Sequence, residues 1–446
     1  MRQIITKFTD NDLYTFTCQY YVLKKYPHAE VGYTFFDRNK TKYPKGFGEL
    51  LKEQMEGLRN VVLTDEEAAF MLQNLTYLPQ WYITFLKGYR FNPDELTIEQ
   101  DEDGYLHVSA TGKWWSTIMW EMPVLSTIAE LSHILNGDAD KYDAALERKR
   151  AHDKAVEIFD NGLVLGDMGT RRRFSFEHQR MVLEEMTKVY NEKKWSGVFT
   201  GTSNVWFAKE FGLKCLGTMS HQIISFEETI SGPLECNYAV MKKFNDVYDG
   251  QNLIFLYDCF GEKAFFSNAS RSMLMLYRGL RIDSGIEEDQ TEKIIAKYKS
   301  YGINPAEKQI IYSNGLNIKR AIEIHKFVNG RVKDSYGVGT FLTCDVTGVK
   351  PSNIVMKLTK ARYNNEREWV NCVKLSCDKG KTLGDETKCK YLLSLFGVET
   401  PSKVDDTTNQ ATKETIEKTP TKFGNFASSI ANSLKIVSTS LKGALK

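Results

Sequence analysis

Residues 253–261 read Leu-Ile-Phe-Leu-Tyr-Asp-Cys-Phe-Gly. An apolar and aromatic run closed by an acid and, soon after, a glycine has the pattern of a buried strand that runs into a turn. The pattern recurs through the middle of the chain, in the runs 162–167, 197–201, 214–217, 253–257, 276–281, 309–312 and 332–336. Helical patterns lie between them, for example 176–190 and 286–301. Strands that alternate with helices are joined by crossovers and pair in parallel. Each run ends in a polar, glycine-bearing cluster, among them Asp167-Met-Gly-Thr-Arg-Arg-Arg173, Gly201-Thr-Ser-Asn204, Gly217-Thr-Met-Ser-His221, Arg281-Ile-Asp-Ser-Gly285, Ser313-Asn-Gly315 and Gly337-Val-Gly-Thr340. In a parallel α/β barrel the strand C-termini converge on one face, where the active site lies. The clusters therefore predict one shared site.

On the N-terminal side, residues 1–135 read as an aromatic-rich α+β domain. Val31–Phe36 alternates as a strand, and 49–58 and 65–75 read as helices, the second with Thr64 as N-cap and Glu67 three positions on. The tryptophan-dense stretch 113–125 is expected to pack an interface. On the C-terminal side, 350–398 is a mixed segment with strands expected at 352–358 and 369–375. Residues 401–420 are polar, without aromatics, and read as a linker. Beyond them Phe423, Phe426, Ile430, Leu434, Val437, Leu441 and Leu445 form one helical stripe, with four lysines and no acid from 421 onward. Such a helix suits a membrane or protein surface, or docks on its own protein. The expected division is 1–135, a barrel at 140–345, 350–398 completing the first domain, and a 401–446 tail.

The chain has 446 residues, 42% hydrophobic and 26% charged, with 59 Lys+Arg against 57 Asp+Glu. A net charge of +2 gives no electrostatic argument for nucleic acid. Eight cysteines include no C-x-x-C pair, and the N-terminus has no apolar signal core. Both point to thiols in a reducing cytoplasm. The seven histidines include no pair at i,i+3 or i,i+4, which excludes a helical zinc motif. Gly380-Lys-Thr382 lacks the P-loop's first glycine, since position 375 is Leu, and Gly337-Val-Gly339 lacks a third glycine at Leu342. No G-x-S-x-G elbow is present.

What remains is suited to phosphates. Arg171–Arg173 follow a strand end, and guanidinium forks grip phosphate or carboxylate. Gly337, Gly339 and Thr340 can offer backbone N–H groups to a monophosphate. Asp258 and Asp283 follow consecutive strands, where carboxylates hold Mg²⁺ beside substrate phosphates or else cap a following helix. His221 ends its cluster on the same face, placed to act as general base or to accept a phosphoryl group.

Jointly, these motifs resemble nicotinate phosphoribosyltransferase, in order from about residue 9 to 398, with Thr9-Asp-Asn-Asp-Leu-Tyr14, Glu121-Met-Pro-Val-Leu125 and Val373-Lys-Leu-Ser376 among them. The resemblance does not reach the tail. It implies an irregular, incomplete α/β barrel plus a mixed α+β domain built from the N- and C-terminal segments, in homodimers with shared sites. The implied reaction joins nicotinate to phosphoribosyl pyrophosphate, coupled to ATP hydrolysis through a phosphohistidine, with Mg²⁺ required. Carried over by motif, His221 is the phosphorylated residue, and Tyr14, lent by the neighbouring subunit, stacks on the pyridine ring with Met168. Arg171 and Arg281 share the carboxylate and diphosphate, Thr202 and Ser203 meet the base, and Ser203 donates to its carboxylate. Asp258 and Asp283 serve metal and ribose, and Ser313, Asn314, Gly315, Gly337, Gly339 and Thr340 hold the 5′-phosphate. Met168, Gln222 and Asn314 stand where the family usually has Phe, Glu and Asp. A nicotinamide-specific enzyme and a non-catalytic binding protein working through its tail are the alternatives.

Overall fold

Two sheets organise the residues that the structure, a computed structural model, describes: 1–193, 199–376, 378 and 382–397. In chain order the strands are β1 (Glu30–Asp37), β2 (Leu96–Gln100), β3 (Leu106–Lys113), β4 (Leu165–Asp167), β5 (Phe199–Thr202), β6 (Ile254–Leu256), β7 (Gly279–Ile282), β8 (Gln309–Tyr312), β9 (Lys333–Val338), β10 (Ile354–Arg362) and β11 (Val370–Asn371).

The first sheet is antiparallel, in the order β11-β10-β1-β3-β2. Its centre is the alternating Val31–Phe36 run, flanked by β3 and by β10 from more than 300 residues away. A bulge between Gly32 and Tyr33 shifts the β1–β10 register. The expected strand at 369–375 is only Val370–Asn371. Beside this sheet the helix Asp65–Asn74 starts with the expected capping box. Thr64 Oγ1 accepts from the Glu67 N–H, and Glu67 accepts from the Thr64 N–H. Local sequence suffices for such a start, because every partner lies within three residues.

The second sheet is parallel throughout, in the order β5-β4-β9-β8-β7-β6, and does not close into a barrel. β4 and β6 are buried at every position, the character of a parallel strand covered on both faces. Six of the seven apolar runs are these strands. The seventh, 214–217, forms none: a single bridge joins Cys215 to Thr202 on the open edge of β5. Gly217 there has φ +142°, which turns the chain away from a ladder.

Trp114 and Trp120 are fully buried. The Trp114 ring packs on Phe226, 4.2 Å between centroids, and its indole N–H donates to Tyr33 Oη and Gln222 Oε1. The tryptophan-rich stretch thereby braces the helix His221–Ser231, whose first residue is His221. No helix among the described residues is long and apolar enough to cross a membrane. The tail stripe at 423–445 lies outside the described residues.

Candidate active site

The C-terminal ends of the parallel strands open into one cleft. Its wall includes Tyr14, Met168, Arg171, Ser203, His221, Arg281, Asp283, Ser313, Gly315, Gly337, Gly339 and Thr340, brought together from positions spread over more than 300 residues. Thr202, Asp258 and Asn314 stand outside that wall. Thr202 is fully buried and donates to Asp167 Oδ2 (2.7 Å), so its hydroxyl fixes the β4–β5 strand ends. Asn314 donates to the Gly285 carbonyl (3.3 Å).

His221 is 6% exposed. Its Nε2 lies 3.0 Å from Asp258 Oδ1 and 3.8 Å from Asp283 Oδ2. Burial, followed by the nearby Lys374 charge, pushes its pKa down to about 4, so the imidazole is neutral at neutral pH. A neutral ring paired with a carboxylate puts its one proton on that side. Nε2–H therefore donates to Asp258, and Nδ1 carries the free lone pair. Asp258 also accepts from Ser284 Oγ (2.6 Å). Burial alone would raise this carboxyl; the partners His221, Lys374 and Ser284 hold it well below the usual carboxylate range. Asp283 accepts from Ser313 Oγ (3.0 Å) and lies 3.9 Å from Lys374 Nζ. His221, Asp258 and Asp283 each offer a ligand atom within 4.8 Å of the others. Of the three, Asp283 suits Mg²⁺, since it is a hard oxygen donor facing the cleft. Asp258 is a second oxygen donor, since His221 and Ser284 each use one lone pair on its two oxygens and leave others free.

The arginine triplet splits three ways. Arg171 lines the cleft, 3.5 Å from Glu121 Oε1. Arg172 also lines it, while its Nε donates to the Ile354 carbonyl (2.8 Å). Burial, then the charges of Arg171 and Arg38, lower its pKa to about 9, a sign of crowded positive charge. Arg173 is fully buried and forms a two-pronged pair with Asp10, at 2.7 Å on each prong. It therefore anchors the N-terminal segment and does not reach the cleft. Arg281 donates through Nη1 to the Met219 carbonyl, and its buried Nε has no partner among the described residues, as a group awaiting an anion would.

Tyr14 enters the cleft from the helix Leu13–Lys25 of its own chain and donates to Glu121 Oε2 (2.8 Å). The Leu13 N–H donates to the Ser203 carbonyl (2.7 Å) and seats that helix on the end of β5. The chain's own Tyr14 thus lines its own cleft. Met168 rests against Gly337, where a Cβ would overlap its sulfur. Glycine at 337 leaves the room that the end of the Met168 side chain fills. Gln222 accepts from Trp114 and Tyr33 and donates to Ser220 Oγ (2.9 Å), which accounts for all its polar atoms without a carboxylate.

Three cleft residues were given no role in the sequence reading, although Asp12 and Glu121 stand in motifs it quotes. Glu121 sits between Tyr14, Arg171 and Lys357, whose Nζ is 3.8 Å away. Burial lowers the Lys357 pKa to about 8. Asp12 accepts from Ser203 Oγ (2.7 Å). A lone acid inside an apolar run (Glu121) and a lone lysine inside a buried strand (Lys357) were the available signals, because a charge kept in such a place has a partner.

A model of the nicotinate phosphoribosyltransferase (NAPRTase) family matches residues 163–400, and one of that family's N-terminal domain matches residues 9–129. The chain belongs to the nicotinate phosphoribosyltransferase family. It is 35% identical over 394 residues to the nicotinate phosphoribosyltransferase of Desulforapulum autotrophicum, covering 88% of this chain and 99% of that one. For the enzyme of Chromohalobacter salexigens the identity is 34% over 383 residues, covering 86% and 96%. The crystal structure of nicotinate phosphoribosyltransferase from Porphyromonas gingivalis superposes with a TM-score of 0.85 at 36% identity, covering 89% of this chain and all of that one. The protein is thus an enzyme of this family, and its open parallel sheet with an antiparallel companion is the family's fold.

Proposed function

We propose that this enzyme transfers the phosphoribosyl group of phosphoribosyl pyrophosphate to nicotinate, giving nicotinate mononucleotide and pyrophosphate for NAD biosynthesis, and couples the transfer to ATP hydrolysis through phosphorylation of His221. The observation that carries the coupling is the His221–Asp258 pair at 3.0 Å on the wall of a cleft rich in cations. In the transfer, the pyridine nitrogen of nicotinate bonds to C1′ of the ribose as the C1′–O bond to pyrophosphate breaks. Pyrophosphate departs with the electron pair, and Arg171, Arg281 and Lys357 spread its charge. Ser313, Gly315, Gly337, Gly339 and Thr340 take the 5′-phosphate, and Tyr14 and Met168 flank the ring.

In the coupling step, His221 Nδ1 attacks the γ-phosphorus of ATP while the bond to the ADP oxygen breaks. Asp258 keeps the proton on Nε2 and offsets the positive charge that the phosphorylated ring gains. Water later cleaves the N–P bond and releases phosphate. Mg²⁺, when bound, neutralises phosphate charge; Asp283 would hold it together with substrate oxygens. The same proposal includes a homodimer, a cytoplasmic location, and a division into 1–135 with 350–398 around the antiparallel sheet and 140–345 around the parallel one.

Nicotinamide is the second reading, and one observation favours it. The Ser203 hydroxyl proton goes to Asp12, so Ser203 and Asp12 together present lone pairs, which suit an amide N–H₂. The deciding experiment supplies purified protein with phosphoribosyl pyrophosphate, Mg²⁺, ATP and either base. Nicotinate mononucleotide is the expected dominant product by mass. Nicotinamide mononucleotide in its place, or neither product, overturns the assignment.

A further inference from the structure

Asp12 and Ser203 share the cleft wall, and both are almost fully buried, at 4% and 3% exposure. Ser203 Oγ lies 2.7 Å from Asp12 Oδ1. While Asp12 is ionised it only accepts, so the serine proton points at it and away from the cleft. A nicotinate carboxylate arriving there meets the serine lone pairs and a second carboxylate. A protonated Asp12 reverses the chain: its own O–H donates to Ser203 Oγ, and the serine proton turns into the cleft as a donor. We infer that Asp12 is the specificity-determining residue of the base site, and that nicotinate binds with one proton carried on the Asp12 carboxyl and relayed through the Ser203 hydroxyl. This rests on the nicotinate reading above and deepens it. The proton comes from solvent, and only O–H bonds form and break.

The surroundings favour Asp12 as the acid that gives way. It stands at the N-cap position of the helix Leu13–Lys25, yet its side chain accepts none of that helix's N–H groups. The usual stabilisation of a carboxylate at a helix start is therefore missing. The charged and titratable groups facing it are Tyr14 on its own helix, Arg171 and Arg173 on the turn after β4, Asp167 at the end of β4, and Glu121 on the helix Glu121–Leu135. Arg173 is already matched by Asp10, and Arg171 is shared with Glu121. Asp167 is bound by Thr202, Gln179 and the Gly169 N–H, away from the cleft. With nicotinate present, Asp12 and the ligand would share Arg171 with Glu121, which also has Lys357 Nζ 3.8 Å away. Burial, opposed by donors Ser203 and Thr170 and by Arg171, already raises the Asp12 pKa. Nicotinamide needs no such proton, because its amide donates to the ionised pair.

The test is the pH profile of kcat/KM for nicotinate with the full chain, its Asp12→Asn variant and its Ser203→Ala variant, at saturating phosphoribosyl pyrophosphate and ATP. The Asn amide donates to Ser203 permanently, as a protonated Asp12 does. The wild-type to Asp12→Asn quotient is expected to fall at least about tenfold between about pH 6 and about pH 9, since groups common to both enzymes cancel. The wild-type to Ser203→Ala quotient is expected to fall alike, which keeps the test decisive if Asp12→Asn does not fold. Quotients constant within about threefold overturn the inference while leaving nicotinate use intact. A wild-type enzyme that makes no nicotinate mononucleotide overturns the functional reading instead.

Discussion

A histidine with one nitrogen tied to a buried carboxylate has a single face for chemistry, and this decides what His221 can do. Replacing His221 by Ala is expected to abolish acid-labile, ATP-derived label on the protein and nicotinate-stimulated ATP hydrolysis, while slow ATP-independent nucleotide formation survives. Label at wild-type stoichiometry in the variant would show that another residue accepts the phosphoryl group. The pH dependence follows from the lowered value. With a folded pKa near 4 against an ordinary 6.5, the native state prefers the neutral ring. The preference contributes stability that is fully present above about pH 6.5 and is lost as pH falls towards 4. Phosphorylation should accordingly stay level above about pH 6 and decline only towards pH 4, as rapid-quench labelling would measure. The position of His221 was legible because it ends a glycine-bearing cluster. Its partner Asp258 was legible as a strand-end acid with two open roles, holding the second nitrogen of His221 or holding a metal. Whether such a carboxylate faces a metal or a histidine depends on where the helix His221–Ser231 is laid across the sheet, and spacing does not encode that.

Elements were readable where their determinants are local. The alternation in β1, the Thr64–Glu67 cap and six apolar runs name themselves within a few residues. The sheet orders are not local: β4 lies between β5 and β9, and β1 between β3 and β10. Such neighbours are chosen by whole-chain packing and crossover handedness. The run 214–217 shows how local pattern fails. It is apolar enough for a strand, yet Gly201 and Gly217 kink both sides of the contact, and the chain passes β5 with one bridge. Gly201 has φ +136°, and a Cβ there would overlap the Lys214 carbonyl. Gly201→Ala therefore meets backbone strain and a rigid clash together. We expect it to cost about 3 kcal/mol or more in urea unfolding. A loss below about 0.5 kcal/mol would mean that the strand edge relaxes freely.

At the scale of the whole molecule, the relatives supply a boundary that composition only suggested. The family models match within residues 9–400, and 98–100% of the length of several relatives is accounted for by 88–89% of this chain. Every described residue of the cleft wall, from Asp12 to Lys357, lies inside that span, and residues Met1–Thr400 form one compact unit. The surplus is the polar stretch followed by the lysine-bearing stripe at 423–445, which lies outside the described residues. Relatives that complete their length without a counterpart to it carry the family name nonetheless. Chemistry at the strand ends should therefore be indifferent to its loss. A chain ending at Thr400 is expected to turn over nicotinate within about threefold of the full chain, a barrier change below about 0.7 kcal/mol. Its melting temperature should fall by no more than a few degrees, because the buried residues described all lie before 400. A shortened protein that melts like the parent but loses activity about a hundredfold, or about 2.7 kcal/mol of barrier, would mean that the tail takes part in catalysis.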